Sequence, residues 1–315
     1  MTQVRRSVGE ALWGMCAADA MSMPVHWYYN IDDIKRDFGG WITGFNAPKN
    51  KHPSSILTLS NSAGSGRTAW SSGGNRPHVV GNVILHNKLK FWKASGGSVH
   101  YHQGVMSCLV YVFQVLEFAE QRYQQKMNVS VPDSQLDAIG CIPMAIPFVS
   151  AAVEFVRLTH PHPKVEKYVT LYARALHATL NGVCLKQQAE AALKSPELDA
   201  WDTCKPYIQK AARFPASSAE RLKVHQNAVE MLGMACYTRG ALSSMFYLAH
   251  EFHSDPHGGI LANTNCGGEN CNRGSALGAL LGARAGYTGG SVPQEWKDGL
   301  RNAQEPIQEI LEKML

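Results

Sequence analysis

Within the stretch NTNCGGENCNRGSALGALLGARAG (Asn263–Gly286), five consecutive positions bring together one carboxylate (Glu269), two amides (Asn270, Asn272), one thiol (Cys271) and one guanidinium (Arg273). Gly267-Gly268, just ahead of them, lets the backbone come close to a ligand and take positive φ. A helix is expected from about Gly274, so Glu269 to Asn272 lie just before it or in its first turn. A helix N-terminus presents unpaired N–H groups and a partial positive charge that attracts anions. Asn270 or Asn272 also suits an ordinary N-cap. Gly274, Gly278, Gly282 and Gly286 are four apart and share one helix face. Each costs about 1 kcal/mol against alanine, and close approach of a second helix explains the cost. The stretch therefore fits either a ligand-holding loop or a capped loop over a tight helix crossing.

Two other groups can do chemistry. His100 and His102 alternate around Tyr101. If locally extended, both imidazoles point the same way, a pair suited to Zn, Fe, Cu or Ni; two hydrogen-bonded loop histidines fit the same pattern. In AADAMSMPVHWYYN, Asp19 is a lone acid in an apolar helix, and buried carboxylates are rare unless paired. His26, Trp27, Tyr28 and Tyr29 follow Pro24. Such aromatics with polar tips can stack on a base or sugar, or can form a corner of the core. His160 and His162 flank prolines at a helix entrance and read as structural.

The chain that must position these residues has 315 positions, 45% hydrophobic and 17% charged. A sizeable core is affordable and disorder is disfavoured. No apolar run reaches the roughly 18–20 residues of a membrane span. The basic N-terminal start lacks a clean apolar segment, which predicts no signal peptide and a cytoplasmic protein. The net charge of +5 is spread without a Lys/Arg run. That points to a small anionic ligand and away from nucleic acid. The eight cysteines lie mostly in apolar helical contexts, with no C-x-x-C pair, and read as buried, reduced thiols.

Strand patterns are nearly absent. Residues 31–99, rich in Gly, Ser, Pro and Asn, read as one long irregular excursion, part of which is expected to cover the site. Helices are expected over VGEALWGMCAADAMSM, VMSCLVYVFQVLEFAEQ, AIPFVSAAVEFVRL, HPKVEKYVTLYARALHATLNG (ending at Asn181-Gly182) and LKQQAEAALKS. Ser217 with Glu220 forms a capping-box pattern ahead of two helices broken near Arg239-Gly240. Pro293 precedes a final helical pair. The expectation is an all-α, single, compact multi-helix orthogonal bundle over residues 1–315 with long loops.

In order and spacing, these pieces resemble the ADP-ribosylglycohydrolase family, which includes dinitrogenase-reductase-activating glycohydrolases and J-type crystallins. GMCAADAMSMPVHW resembles the family's opening helix. IGCIPMAIPF is similar to its Asn-Gly-Ala-x-Met-Arg-x-x-Pro segment, and LTHPHPKVEKYVTLYARALHATLNG to its Thr-His helix. NTNCGGENCNRGSALGALLGARAGYTGGSVPQEW matches the last signature, Asn-x-Gly-Gly-Asp-x-Asp-Thr followed by a Gly-Ala helix. The resemblance implies hydrolysis of a glycosidic bond of ADP-ribose, with two Mg²⁺ held by a Thr-Asp-Asp-Thr segment and by the Asp-x-Asp-Thr. Hard cations need such oxygen ligands. This chain departs there: Glu269, Cys271 and Asn272 stand at the two aspartates and the threonine. No Thr-Asp-Asp-Thr occurs, and HYHQ takes its place by position.

The standard two-Mg site is therefore not expected. One expectation is a transition-metal site drawing on His26, His100, His102, Glu269 and Cys271. Another is metal-free hydrolysis, with Glu269 or Asp19 as acid/base and His26 assisting. A third is a crystallin-like or ADP-ribose-binding relative without catalysis. Gly267, Gly268, Asn270, Asn272, Arg273, Trp27, His100, Tyr101 and His102 are the expected ligand contacts, for an ADP-ribosylated or nucleotide-sugar substrate.

Overall fold

A computed structural model describes residues 3–46, 137–146, 152–160, 162–300 and 304–313. Its regular elements are α1 (Gln3–Ser22), a 3-10 turn (Met23–Val25), α2 (Asp32–Phe38), α3 (Cys141–Ala145), α4 (Ala152–Thr159), α5 (Pro163–Leu180), α6 (Leu185–Leu193), α7 (Trp201–Ala211), α8 (Ala219–Leu232), α9 (Thr238–Glu251), α10 (Pro256–Asn265), α11 (Asn270–Thr288), α12 (Gln294–Gly299) and α13 (Gln304–Lys313). The fold is all-α; among the described residues the one β feature is an isolated bridge between Ala138 and Tyr237. No helix of the described residues is long and apolar enough to cross a membrane.

The architecture is built on α1 and α11. A Cβ added to Gly286, Gly282, Gly278 or Gly274 would meet the backbone oxygen of Arg6, Glu10, Gly14 or Ala18, respectively. That ladder of four-residue steps shows two antiparallel helices with their backbones in contact. A methyl at Gly14 or Gly278 would fall inside the other's carbonyl. The glycine face thus supplies the close crossing anticipated for it. Ser7 Oγ donates to Ala283 O at 2.6 Å along the same seam. Glu10 ties the seam to α12, accepting from Val292 N at 2.8 Å and from Lys297 Nζ. Helices α5, α6, α9 and α10 pack around α11. Tyr172 of α5 donates its hydroxyl to Ala276 O at 2.8 Å.

Several boundaries match the sequence. Helix α5 ends at Asn181 and Gly182, whose φ of +93° favours glycine. Its N-cap is His162, whose Nδ1 accepts from Lys164 N at 3.1 Å, and His160 is buried beside it. Other boundaries differ. The N-cap of α8 is Ser218, not Ser217, and its hydroxyl accepts from Arg221 N. The break before α9 comes at Gly233, with φ +141°, so Arg239-Gly240 lies inside the first turn of α9. Gly240 is small because Gly233 packs against its backbone. Residues 31–46 are not wholly irregular. Asp32-Asp33 and Lys35-Arg36 complement the helix dipole and build α2, closed by Gly39 at φ +72°. Residues 47–99 and VMSCLVYVFQVLEFAEQ lie outside the described residues. Helices α7 and α10 carry no pattern that the sequence reading picks out. Of the described cysteines, Cys16, Cys141, Cys204, Cys266 and Cys271 are buried, Cys184 is half-buried and Cys236 is exposed.

Candidate functional site

Where α1 ends, the chain must turn sharply over the N-terminus of α11. Pro24 sits in the Met23–Val25 turn and His26 leaves it extended. Trp27 then takes φ +63°. Left-handed backbone costs a bulky residue roughly 1–2 kcal/mol. Three hydrogen bonds offset it. Trp27 N donates to Gly268 O at 2.9 Å, Gly268 N donates back to Tyr28 O at 2.8 Å, and indole Nε1 donates to Glu269 Oε2 at 2.6 Å.

The partner loop is shaped by Gly267 and Gly268, both left-handed at φ +63° and +64°. A Cβ on the first would strike Tyr28 O, and on the second Met234 O. Glu269 N donates to Met234 O at 2.7 Å, and Ile139 N donates to Cys236 O at 2.9 Å. Four irregular segments are thereby laced together: 26–29, 267–269, 234–237 and 137–140.

Glu269 lies at their meeting point. It is the N-cap residue of α11, whose first residue, Asn270, comes four positions before the helix start expected at Gly274, and its side chain caps nothing. Neither Asn270 nor Asn272 is the cap; both lie in the first helical turn. The carboxylate is 3% exposed. Oε2 accepts from Trp27, and Oε1 accepts from Asn272 Nδ2 and lies 3.6 Å from His26 Nε2.

The other face of His26 is turned to Asn270. Asn270 spends its Nδ2 protons on Val25 O and Thr264 O, at 3.3 and 3.1 Å. Its Oδ1 is therefore the atom turned toward His26 Nδ1, at 3.1 Å. The Cys271 N–H is directed at the same nitrogen, at 3.4 Å, so Nδ1 has an acceptor and a donor as neighbours. Nε2, on the opposite side of the ring, faces Glu269 Oε1. The pair is buried (His26 is 4% exposed), and the imidazole packs against the Trp27 ring, tilted by 32°, at 4.3 Å between centroids.

Beneath the loop lies Arg273, fully buried. Nε donates to Asn263 Oδ1 at 2.8 Å, and Nη2 donates to Gly267 O at 2.8 Å and to Asn263 O. Asn263 in turn donates to Asn270 O and Ser22 Oγ. Asn263 is the residue the sequence reading did not single out, although it opens the quoted stretch. Tyr29 lies near Glu269, Cys236 and Tyr237, the last of them 70% exposed. Burial and then the Glu269 charge push the Tyr29 hydroxyl up to about 12.

Asp19, His26, Trp27, Gly267, Gly268, Glu269, Asn270, Cys271, Asn272 and Arg273 thus converge at the junction of α1 and α11. Asp19 is buried one turn before the end of α1, and its backbone oxygen accepts from Cys271 Sγ at 3.8 Å. His100, Tyr101 and His102 lie outside the described residues. Among the described residues no group of three or more His, Cys, Asp or Glu side chains is arranged to hold a metal ion.

The sequence model of the ADP-ribosylglycohydrolase family matches residues 1–315. The chain belongs to the ADP-ribosylglycohydrolase family. A solved structure described as an "ADP-ribosylglycohydrolase-related protein complex" is similar to this family member over 99% of this chain and 98% of the other, with a TM-score of 0.56 and 14% identity. At that identity the likeness is one of fold. Among curated proteins none matches.

The two-Mg²⁺ arrangement of the ADP-ribosylglycohydrolase signature does not fit the donors found here. Both Glu269 oxygens already take hydrogen bonds. The Asn270 amide is spent on His26 and two carbonyls, and Cys271 offers a buried thiol turned to Asp19 O. A thiol is a poor partner for a hard cation.

Proposed function

We propose that this chain is a divergent ADP-ribosylglycohydrolase-like hydrolase that cleaves a glycosidic bond of an ADP-ribosylated or nucleotide-sugar substrate. The observation that supports it is the buried pair of His26 and Glu269, 3.6 Å apart, with Glu269 at the family's signature position. Glycosidic cleavage needs a proton delivered to the leaving group and one taken from water. In this reading His26 Nε2 and Glu269 carry both transfers. Trp27 and Asn272 hold the carboxylate in place, Asp19 orients a partner or a water molecule, and the positive end of α11 favours the ligand's phosphates.

The test is incubation of the pure protein with ADP-ribosylated arginine, ADP-ribosylated serine and O-acyl-ADP-ribose, with and without added divalent metals. Release of ADP-ribose that Glu269→Gln abolishes is the expected result. No release from any substrate overturns the reading. A second reading, an ADP-ribose-binding relative without turnover, is favoured by one observation: the signature's donor atoms are all engaged inside the protein. Calorimetry showing ADP-ribose binding with no release would select it.

A further inference from the structure

Arg273 is among the largest fully buried side chains of the protein, yet every oxygen it reaches is neutral. Its Nη1 is buried with no hydrogen-bond partner. A guanidinium keeps its proton throughout the accessible pH range, so a full positive charge sits in the core. Burial of such a charge without a carboxylate in contact is costly and calls for a use.

The charges that act on it are those of the site. Burial lowers the guanidinium's proton affinity, while Cys266, Glu269, Tyr29 and Cys271 raise it. Glu269 stands one helical turn N-terminal to Arg273, and the guanidinium is anchored to Gly267 O, two residues before Glu269 on the same loop. Inside protein this interaction is weakly screened. The α11 N-terminus adds partial charge of the same sign. A dication brought to Glu269 meets that repulsion, and it meets a carboxylate already clamped by Trp27 and Asn272.

We infer that Arg273 is a positioning residue that supplies, from inside the protein, the positive charge next to Glu269 that metal ions supply in the family's signature. The site then holds an ADP-ribose-type anion without a divalent cation. The anion-binding part of this inference rests on the proposed function; the charge part does not.

Two measurements test it. Mn²⁺ binding to the unliganded protein is read by electron paramagnetic resonance. Wild type and Arg273→Lys are expected to bind no Mn²⁺ up to about 1 mM, while Arg273→Met gains affinity by about tenfold or more. ADP-ribose affinity is read by calorimetry in EDTA. It is expected to be unchanged by the chelator, weakened about tenfold in Arg273→Met and kept within about threefold in Arg273→Lys.

Mn²⁺ binding by wild type that Glu269→Gln removes overturns the inference. So does an Arg273→Lys variant that behaves as Arg273→Met, because the role is then hydrogen bonding to the loop and not charge. So does an Arg273→Met variant with wild-type behaviour in both measurements. Where circular dichroism shows Arg273→Met unfolded, wild type and Arg273→Lys decide: Mn²⁺ binding by either overturns it, and its absence in both supports it. If wild type binds no ADP-ribose, the proposed function fails and the Mn²⁺ measurement alone decides the role of Arg273.

Discussion

The indole N–H of Trp27 reaches Glu269 Oε2 at 2.6 Å from a left-handed backbone. A bulky residue holds that conformation only where its surroundings enforce it, and here the enforcement ends on the site's carboxylate. Trp27→Phe keeps the ring and removes the donor. A hydrogen bond to a charged group contributes about 1.5–3 kcal/mol. We expect turnover or ADP-ribose affinity to fall roughly 10- to 100-fold, measured by product release or calorimetry. A change under twofold would show that this bond does not set the carboxylate's position.

His26→Gln tests His26 as the group that moves a proton beside Glu269. The amide can still bond Asn270 but carries no proton to the carboxylate. Loss of a general acid–base group costs about 10²–10⁴-fold in rate. The expected outcome is that loss in kcat with KM little altered, and a pure KM effect would assign His26 to binding.

Gly278→Ala places a methyl against the Gly14 carbonyl. Overpacking a close contact costs about 1–3 kcal/mol, outweighing the helix propensity gained. Urea denaturation should show a lower midpoint with little change in slope. A more stable variant would contradict the close crossing.

Ser218→Ala removes the hydroxyl that accepts from Arg221 N. Loss of an N-cap costs about 1 kcal/mol. Ser217→Ala, one position earlier, should cost close to nothing, and thermal melts of the two variants separate the assignments.

Acid sensitivity follows from two buried histidines. Burial pushes His160 down to about 4, and burial pushes His225 down to about 4. An unfolded imidazole titrates near 6.5. Between about pH 6.5 and 4 the unfolded chain binds more protons than the folded one, so stability is fully present above 6.5 and is lost as pH falls through that window. Each histidine accounts for on the order of 3 kcal/mol once the fall is complete. Urea midpoints across this range should drop, and the double variant His160→Gln/His225→Gln should flatten the slope. A slope equal to wild type would remove these two residues as its cause.

The legible parts of this structure are those where a steric or electrostatic demand leaves a residue type behind. The spaced glycines of α11 record a backbone contact, and Gly267-Gly268 records positive φ. Glu269 at a signature position marks the candidate site. What was illegible depends on partners far along the chain. Tryptophan at φ +63° has no sequence mark, because other residues impose the conformation. The role of Asn263 emerges only when Arg273, Asn270 and Ser22 surround it. Met234 and Cys236 join the site through bonds to Glu269 and Ile139. The shift of the α8 cap by one residue reflects two adjacent serines of equal propensity, separated only by the helix that follows.

The α1–α11 seam joins residues very far apart in sequence: Ser7 bonds Ala283 across 276 positions, and His26 meets Asn270 across 244. Such contacts carry a high loop-closure cost and form late. During synthesis, α1 emerges well before α11, so its small-residue face waits uncovered until the long stretch between the two has been made. His26 and Glu269 therefore cannot meet on a nascent or C-terminally shortened chain. Whatever this pair does is withheld until folding closes the seam.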